Sequence, residues 1–280
     1  MHKLRAHVTL LRRTVEKSLH DRVLDLASSI AFYASFGIFP LLLLVVAGAS
    51  YLLGSAQVED QLARLVDESL PASGDFVRES VEAVVRERGR MGIAGLVGLL
   101  WSASAAFGAV TRAINQVQGN PRPRSFILAR LRYLFMATVV FVLLVTSVSV
   151  AAVVELVVTR TPGWFAGVGL QNEAFLWVVG WVTSFSIMFV MFALIFKEAP
   201  TNPTPLRTVW RGALLAAVIT ELGKIGFLGY LERVANLEAV FGSLTSMMVL
   251  LLWLFLAATA LMVGVEYNLA RTERPVSGEG

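Results

Sequence analysis

Two opposite charges lie inside an otherwise apolar stretch, AAVITELGKIGFLGYLERV, residues 216–234. They are Glu221 and Lys224, and a spacing of three places them on one face of a helix. A charge at the centre of a membrane helix costs about 2.5–3.5 kcal/mol, so the position needs a reason. The pair is either a neutralised structural contact that fixes helix packing or a site where Glu221 lines an aqueous pathway and binds a cation, a proton or a headgroup. Lys224 can also extend outward to a lipid headgroup.

A second polar group ends two other apolar stretches on the opposite side of the predicted membrane. Glu266 and Asn268 end the last stretch, and Arg112 and Asn115 end the second. If these helices are neighbours, Glu266 pairs with Arg112 or with Arg271. The alternative is that the group forms an inner gate or an ion ligand.

Aromatic and helix-bending residues complete the candidates. Trp101 and Trp253 fall near midspan, away from the interfacial belts where Trp is enriched, which predicts core packing, with substrate contact as the alternative. Tyr33 is predicted to pack through its ring and hydroxyl, and Gly242 to allow close packing. Pro40 should kink the first span.

Composition limits the classes of protein. The 280 residues are 56% hydrophobic and only 16% charged, with a mean hydropathy of +0.69, whereas soluble domains average about 25% charged residues. The absence of cysteine excludes disulfides, thiolate nucleophiles and Cys-based metal sites. The three histidines, His2, His7 and His20, form no H-x-H-x-D pattern, so we expect no metal-dependent nuclease, no enzyme and no cofactor.

A bilayer core about 30 Å thick needs roughly 20 apolar residues of helix. The predicted fold is an all-α polytopic membrane protein with a cytoplasmic amphipathic helix over 1–28, a membrane domain over 29–270 and a disordered tail over 271–280. An outer helical connection is predicted over 55–91. Six spans are predicted, at about 29–54, 92–113, 134–158, 175–196, 210–230 and 244–266.

The Lys and Arg residues predict the orientation. Of the 24, 16 fall in the N-terminal segment, the second and fourth connections and the tail. The positive-inside rule therefore predicts a multi-pass protein of the bacterial inner membrane with both termini in the cytoplasm.

The N-terminal segment repeats apolar residues every three or four positions with basic residues between them. This pattern predicts a helix that lies on the inner leaflet or packs under the bundle, attracted to anionic lipid. Nucleic-acid binding is not expected, because no recognised module accompanies these charges. Small-residue ridges at Ala27–Ala31–Ser35 and Gly212–Ala216–Thr220 allow close helix packing, either within the chain or in a homo-oligomer.

Three stretches resemble the YihY/BrkB family of bacterial inner-membrane proteins, in the family's order. They are ASSIAFYASFGIFPLLLLVVAGASYLLG, LLWSASAAFGAVTRAINQVQGNPRPRSFILARLRYL and FGSLTSMMVLLLWLFLAATALMVGVEYNLA. The last contains the Gly-x-Glu-x-Asn ending at Gly264, Glu266 and Asn268. This chain has Phe241–Gly242 where the family commonly has Tyr-Gly, and Gly-Val-Glu where it commonly has Gly-Ala-Glu.

The resemblance implies six helices and cytoplasmic termini, and it implies no settled activity. The family has carried the label ribonuclease BN, which the residues of this chain do not support. We expect a translocator of a lipid, an ion or a small solute. The alternative is a non-transporting envelope-integrity or scaffold protein that acts through partners.

Overall fold

A computed structural model describes residues 2–37, 93–120, 127–140, 142–143, 146, 173–202, 204–233 and 244–272. Its described part is helical, with no strand among these residues. The helices are α1 (His2–His20), α2 (Val23–Gly37), α3 (Ile93–Val117), α4 (127–140), α5 (Glu173–Glu198), α6 (Leu206–Arg233) and α7 (Thr245–Thr272).

Three described helices are long and apolar enough to cross a membrane. The qualifying segments are Gly180–Glu198, Leu206–Leu231 and Met247–Thr272. They coincide with the last three predicted spans. The first three predicted spans lie partly outside the described residues, and α2, α3 and α4 cover the parts that are described.

The N-terminal segment is two helices, whereas the sequence predicts one amphipathic helix over 1–28. The break is at Arg22, whose φ of 53° lies in the left-handed region that continues no helix. The Arg22 carbonyl accepts the Asp25 amide at 2.9 Å, and the Arg22 guanidinium lies 2.6 Å from the Asp25 carboxylate. These contacts start α2, so the helix that enters the bundle begins at Val23.

The core forms where α6 packs against both α5 and α7, and α7 also contacts α1 and α3. Small side chains line α6 on this side, and Ala213, Ala216 and Ala217 are all fully buried. They pack with residues of α7 such as Met262, which is also fully buried. Small residues let helix backbones approach closely, which is the main source of helix association in lipid.

The end of α3 is fixed by a Schellman motif. Gly119 has a φ of 66°, a conformation that glycine adopts without steric cost. The Asn120 amide donates to the Asn115 carbonyl at 2.9 Å, and the Gly119 amide donates to the Gln116 carbonyl at 3.0 Å. These bonds satisfy the last carbonyls of α3 and end the helix.

Candidate functional site

The structure brings Glu221 and Lys224 together on α6. Lys224 Nζ lies 3.0 Å from Glu221 Oε2. Glu221 is buried, with 5% of its surface exposed, while 21% of the Lys224 side chain is exposed. At 1.5 Å per residue, Glu221 lies about 22 Å from the start of α6 and about 18 Å from its end. The carboxylate is therefore in the middle third of the helix.

The Glu221 carboxylate is incompletely satisfied. Its Oε2 is buried and makes no hydrogen bond with any described residue, so the contact with Lys224 is an ion pair without hydrogen-bond geometry. On the N-terminal side lies Thr220, whose hydroxyl donates instead to the Ala216 carbonyl at 2.8 Å. A buried ion pair is stable when its remaining lone pairs are hydrogen-bonded. Oε2 of Glu221 lacks such a hydrogen bond within the part of the chain that the structure describes.

Between Glu221 and the Arg233 end of α6, apolar contacts hold α6 against α7. A Cβ built on Gly223 would lie 2.6 Å from Leu256 Cδ2. The Phe227 and Trp253 rings pack at 5.6 Å between centroids. Trp253 is only 3% exposed, as core packing requires.

The backbones of α6 and α7 approach each other closely at two glycines. A Cβ on Gly264 would lie 2.6 Å from the Gly212 carbonyl oxygen and 3.0 Å from both Ala216 Cβ and Phe196 Cζ. A Cβ on Gly212 would collide with the Gly264 carbonyl and the Asn268 side chain. Only glycine fits at either position without moving a helix.

Asn268 bridges the same two helices. Its Oδ1 accepts the Gly212 amide at 3.0 Å, and its Nδ2 donates to the Val209 carbonyl at 3.2 Å. Both polar ends of this buried side chain therefore bind the α6 backbone. We call Gly212, Gly264 and Asn268 together the α6–α7 clasp.

Glu266 and Arg112 do not form the predicted ion pair. Glu266 lies two residues from Gly264 in α7 and is fully buried, whereas the sequence places it at the membrane surface. Among the described residues, neither Arg112 nor Arg271 makes an ion pair. The Arg112 guanidinium lies instead over the Tyr33 ring, with Cζ 5.4 Å from the ring centroid. The burial of Glu266 follows from the close α6–α7 packing.

Asn115 binds a loop. Its Oδ1 accepts the Thr201 amide at 2.7 Å, and its Nδ2 donates to the Thr111 carbonyl at 2.8 Å. The side chain thus connects the end of α3 to the segment between α5 and α6. Its predicted share in a gate or in pairing with Glu266 remains a prediction.

Trp101 does not pack in the core as predicted. Its side chain is 61% exposed, and the Arg130 guanidinium lies 3.7 Å from the ring centroid. Arg130 also donates to the Trp101 carbonyl at 3.2 Å. Cation–π stacking on an exposed face therefore replaces burial. Pro40 and Gly242 lie outside the described residues.

A cleft of about 350 Å³ opens at the predicted cytoplasmic end, between the ends of α3 and α7 and the start of α6. Its floor is apolar and includes Phe196 and Val265. The rest of its lining carries amides and hydroxyls without a charge: Gln118, Asn120, Asn202, Thr204, Thr208, Asn268 and Thr272. The described residues contain no group of three or more His, Asp or Glu side chains that could hold a metal ion.

Sequence reasoning missed the partners that these residues find on other helices. It selected Asn268, Asn115 and Trp101 without Val209, Thr201 or Arg130. Asn202, Thr204 and Thr208, which stand beside Pro200, Pro203 and Pro205 in the sequence, were a signal for a polar cleft. Nothing in the spacing of Arg130 indicates a contact with α3.

Comparison with known protein families identifies the family of this chain. The sequence model of the family described as virulence factor BrkB matches residues 14–279. The chain belongs to this family. No solved structure matches it.

Relatives of the BrkB-family chain come from several bacteria. The putative ribonuclease-like protein YfkH of Bacillus subtilis is 26% identical over 247 residues, which is 86% of this chain and 87% of YfkH. A UPF0761 membrane protein of Alkalilimnicola ehrlichii is 28% identical over 268 residues, which is 95% of this chain and 59% of the relative. A UPF0761 membrane protein of Glaesserella parasuis is 26% identical over 215 residues, 75% of this chain and 73% of the relative. The chain thus spans about three-fifths of the Alkalilimnicola protein, and it is a membrane protein of this family.

Proposed function

We propose that this protein is a translocator that moves a lipid, an ion or a small solute across the bacterial inner membrane, and that Glu221 lies on the path. The observation that carries the proposal is the buried carboxylate in the middle third of α6, whose Oε2 lacks a hydrogen bond to any described residue. Intramembrane ionisable groups of this kind mark ion and substrate pathways.

The geometry of Lys224 supports the same proposal. Its side chain is three times as exposed as that of Glu221, at 21% against 7%. The lysine can therefore extend toward water and leave the carboxylate available to a ligand. A pair that only fixes packing needs both partners held by further hydrogen bonds, which Oε2 does not have.

The topology that we propose has six spans with both termini in the cytoplasm. In it, α1 lies on the inner leaflet. Val15 and Leu19 are 59% and 70% exposed on one side of α1, and Arg13 is exposed on another. An apolar edge beside a basic face is the arrangement of interfacial helices that bind anionic lipid.

A scaffold function is the second candidate, and the exposure of α1 favours it. A helix that presents both apolar and basic side chains outward can bind a partner protein. Under this alternative, deletion of residues 2–20 abolishes function while Glu221→Gln leaves it intact. Under the translocator proposal, Glu221→Gln abolishes function.

The experiment is reconstitution of the full chain into liposomes. Phospholipid movement is followed by dithionite bleaching of a fluorescent phosphatidylglycerol, and ion and proton flux by internal dyes. The variant Glu221→Gln is compared with Glu198→Gln, a carboxylate at the end of α5 that already contacts Arg132 and Lys197 at 3.4 and 3.3 Å. We expect flux in the wild type and in Glu198→Gln, and its loss in Glu221→Gln. Equal rates in all three and in empty liposomes contradict the proposal.

A further inference from the structure

Three helices bring one arginine and two tyrosines together over a glycine. Arg112 of α3 lies beside the Tyr33 ring of α2, with Cζ 5.4 Å from the centroid. A Cβ built on Gly108 would lie 3.2 Å from Arg112 Nη1 and 3.3 Å from Cε2 of Tyr133, which belongs to α4. Arg112 and Tyr133 therefore lie over the same point of α3. We call Tyr33, Gly108, Arg112 and Tyr133 the arginine notch.

The charge of the arginine notch is uncompensated in the described part of the chain. Two other exposed arginines have carboxylate partners: Arg12 lies 2.7 Å from Glu16 and Arg22 lies 2.6 Å from Asp25. Arg112 has no carboxylate of a described residue within ion-pair distance. The sequence from 112 to 132 contains five arginines and no acidic residue, so the local potential favours an anion.

The chemistry of the arginine notch suits a phosphate. A guanidinium presents planar, paired N–H donors that match phosphate oxygens, and its face can stack on an aromatic ring at the same time. With one face of Arg112 against Tyr33, its edge donors remain available for a bidentate contact. The phenol hydroxyl of either tyrosine can add a further donor.

Apolar side chains beside the arginine notch indicate where the phosphate comes from. Phe32 and Phe36 flank Tyr33 on α2 and are 55% and 56% exposed, and Phe135 on α4 is 56% exposed. A soluble phosphate gains nothing from these rings, whereas acyl chains cover them. We propose that the arginine notch binds the phosphate of an anionic phospholipid. The site uses neither Glu221 nor Lys224, so it is independent of the translocation proposal.

The test is native mass spectrometry of the detergent-solubilised full chain titrated with phosphatidylglycerol, phosphatidylcholine or inorganic phosphate. Arg112→Gln is compared with Arg211→Gln, a matched control because Arg211 is also exposed and lies over an aromatic ring, that of Trp210, at 5.1 Å. We expect the affinity for phosphatidylglycerol to fall at least tenfold in Arg112→Gln and less than twofold in Arg211→Gln. Arg112→Lys should give an intermediate loss, because lysine keeps the charge without the paired donors.

Each other outcome overturns the proposal. An equal loss in both glutamine variants means general charge attraction. Unchanged binding by a folded Arg112→Gln, judged by its elution volume and thermal unfolding, removes the site. Binding of inorganic phosphate that requires Arg112, without binding of phosphatidylglycerol, assigns the arginine notch to a soluble anion. If Arg112→Gln does not fold, Arg112→Lys and Tyr133→Phe carry the test, and wild-type affinity in both contradicts it.

Discussion

Replacing Gly264 by alanine perturbs a close backbone contact between the two central helices, α6 and α7. The new Cβ would lie 2.6 Å from the Gly212 carbonyl oxygen, whereas unstrained contacts are about 3.5–4.0 Å. Locally, α6 and α7 must therefore separate by about 1 Å. The hydrogen bond from the Gly212 amide to Asn268, now 3.0 Å, would then exceed the usual limit of about 3.2 Å. Overpacking costs about 1–3 kcal/mol and a buried unsatisfied group about 1–3 kcal/mol, so we expect a loss of about 2–6 kcal/mol.

Gly226→Ala is the matched control, because it changes a glycine of α6 where a Cβ meets no atom within 4 Å. Alanine there should be neutral or should stabilise the helix by about 0.5–1 kcal/mol. Thermal unfolding of the detergent-solubilised chain, fused to a fluorescent reporter and followed by size exclusion, measures both variants. If Gly264→Ala unfolds at the same temperature as Gly226→Ala, the contact between Gly212 and Gly264 does not hold α6 and α7 together as described.

Three further predictions concern the other contacts. Lys224→Met should lower the folded yield more than Glu221→Gln, because Lys224→Met leaves the Glu221 carboxylate buried without its partner, whereas in Glu221→Gln the unpaired Lys224 can extend to water. Immunoblots of the membrane fraction measure both variants, and equal levels contradict this prediction. Asn115→Ala should increase protease cleavage in the segment between α5 and α6, because the 2.7 Å hydrogen bond from the Thr201 amide to Asn115 Oδ1 is lost. An unchanged digestion pattern contradicts this prediction. A fluorophore on Val15→Cys should be quenched by brominated lipid and one on Arg13→Cys, on nearly the opposite side of α1, should not; equal quenching contradicts the inner-leaflet position of α1.

The last three spans were predictable because hydropathy over about 20 residues reports a property of single helices. The Glu221–Lys224 contact was predictable for the same reason, since a spacing of three fixes which side chains share a helix face. The break at Arg22 was not, because a basic residue in an amphipathic pattern carries no helix-stop signal comparable to glycine or proline.

Contacts between helices were less predictable. Gly212 stood out as part of a small-residue ridge, and Gly264 and Asn268 as part of a family ending. Their contact depends on the axial register of α6 relative to α7, which no residue spacing within one helix determines. For the same reason, the sequence predicted an ion pair between Arg112 and Glu266, whereas Arg112 lies over the Tyr33 ring.

Glu221 is proposed to lie on a path that opens to water, and its access to water can be measured without knowing the substrate. The chain has no cysteine, so a single Glu221→Cys variant gives an unambiguous signal with a charged thiol reagent in intact cells and inverted vesicles. The control is Ala258→Cys, at a core position that is 4% exposed. We predict that the cysteine at position 221 is modified and that the one at position 258 is not. If both stay unmodified while the protein is folded in the membrane, Glu221 is a structural residue and the translocation account is wrong.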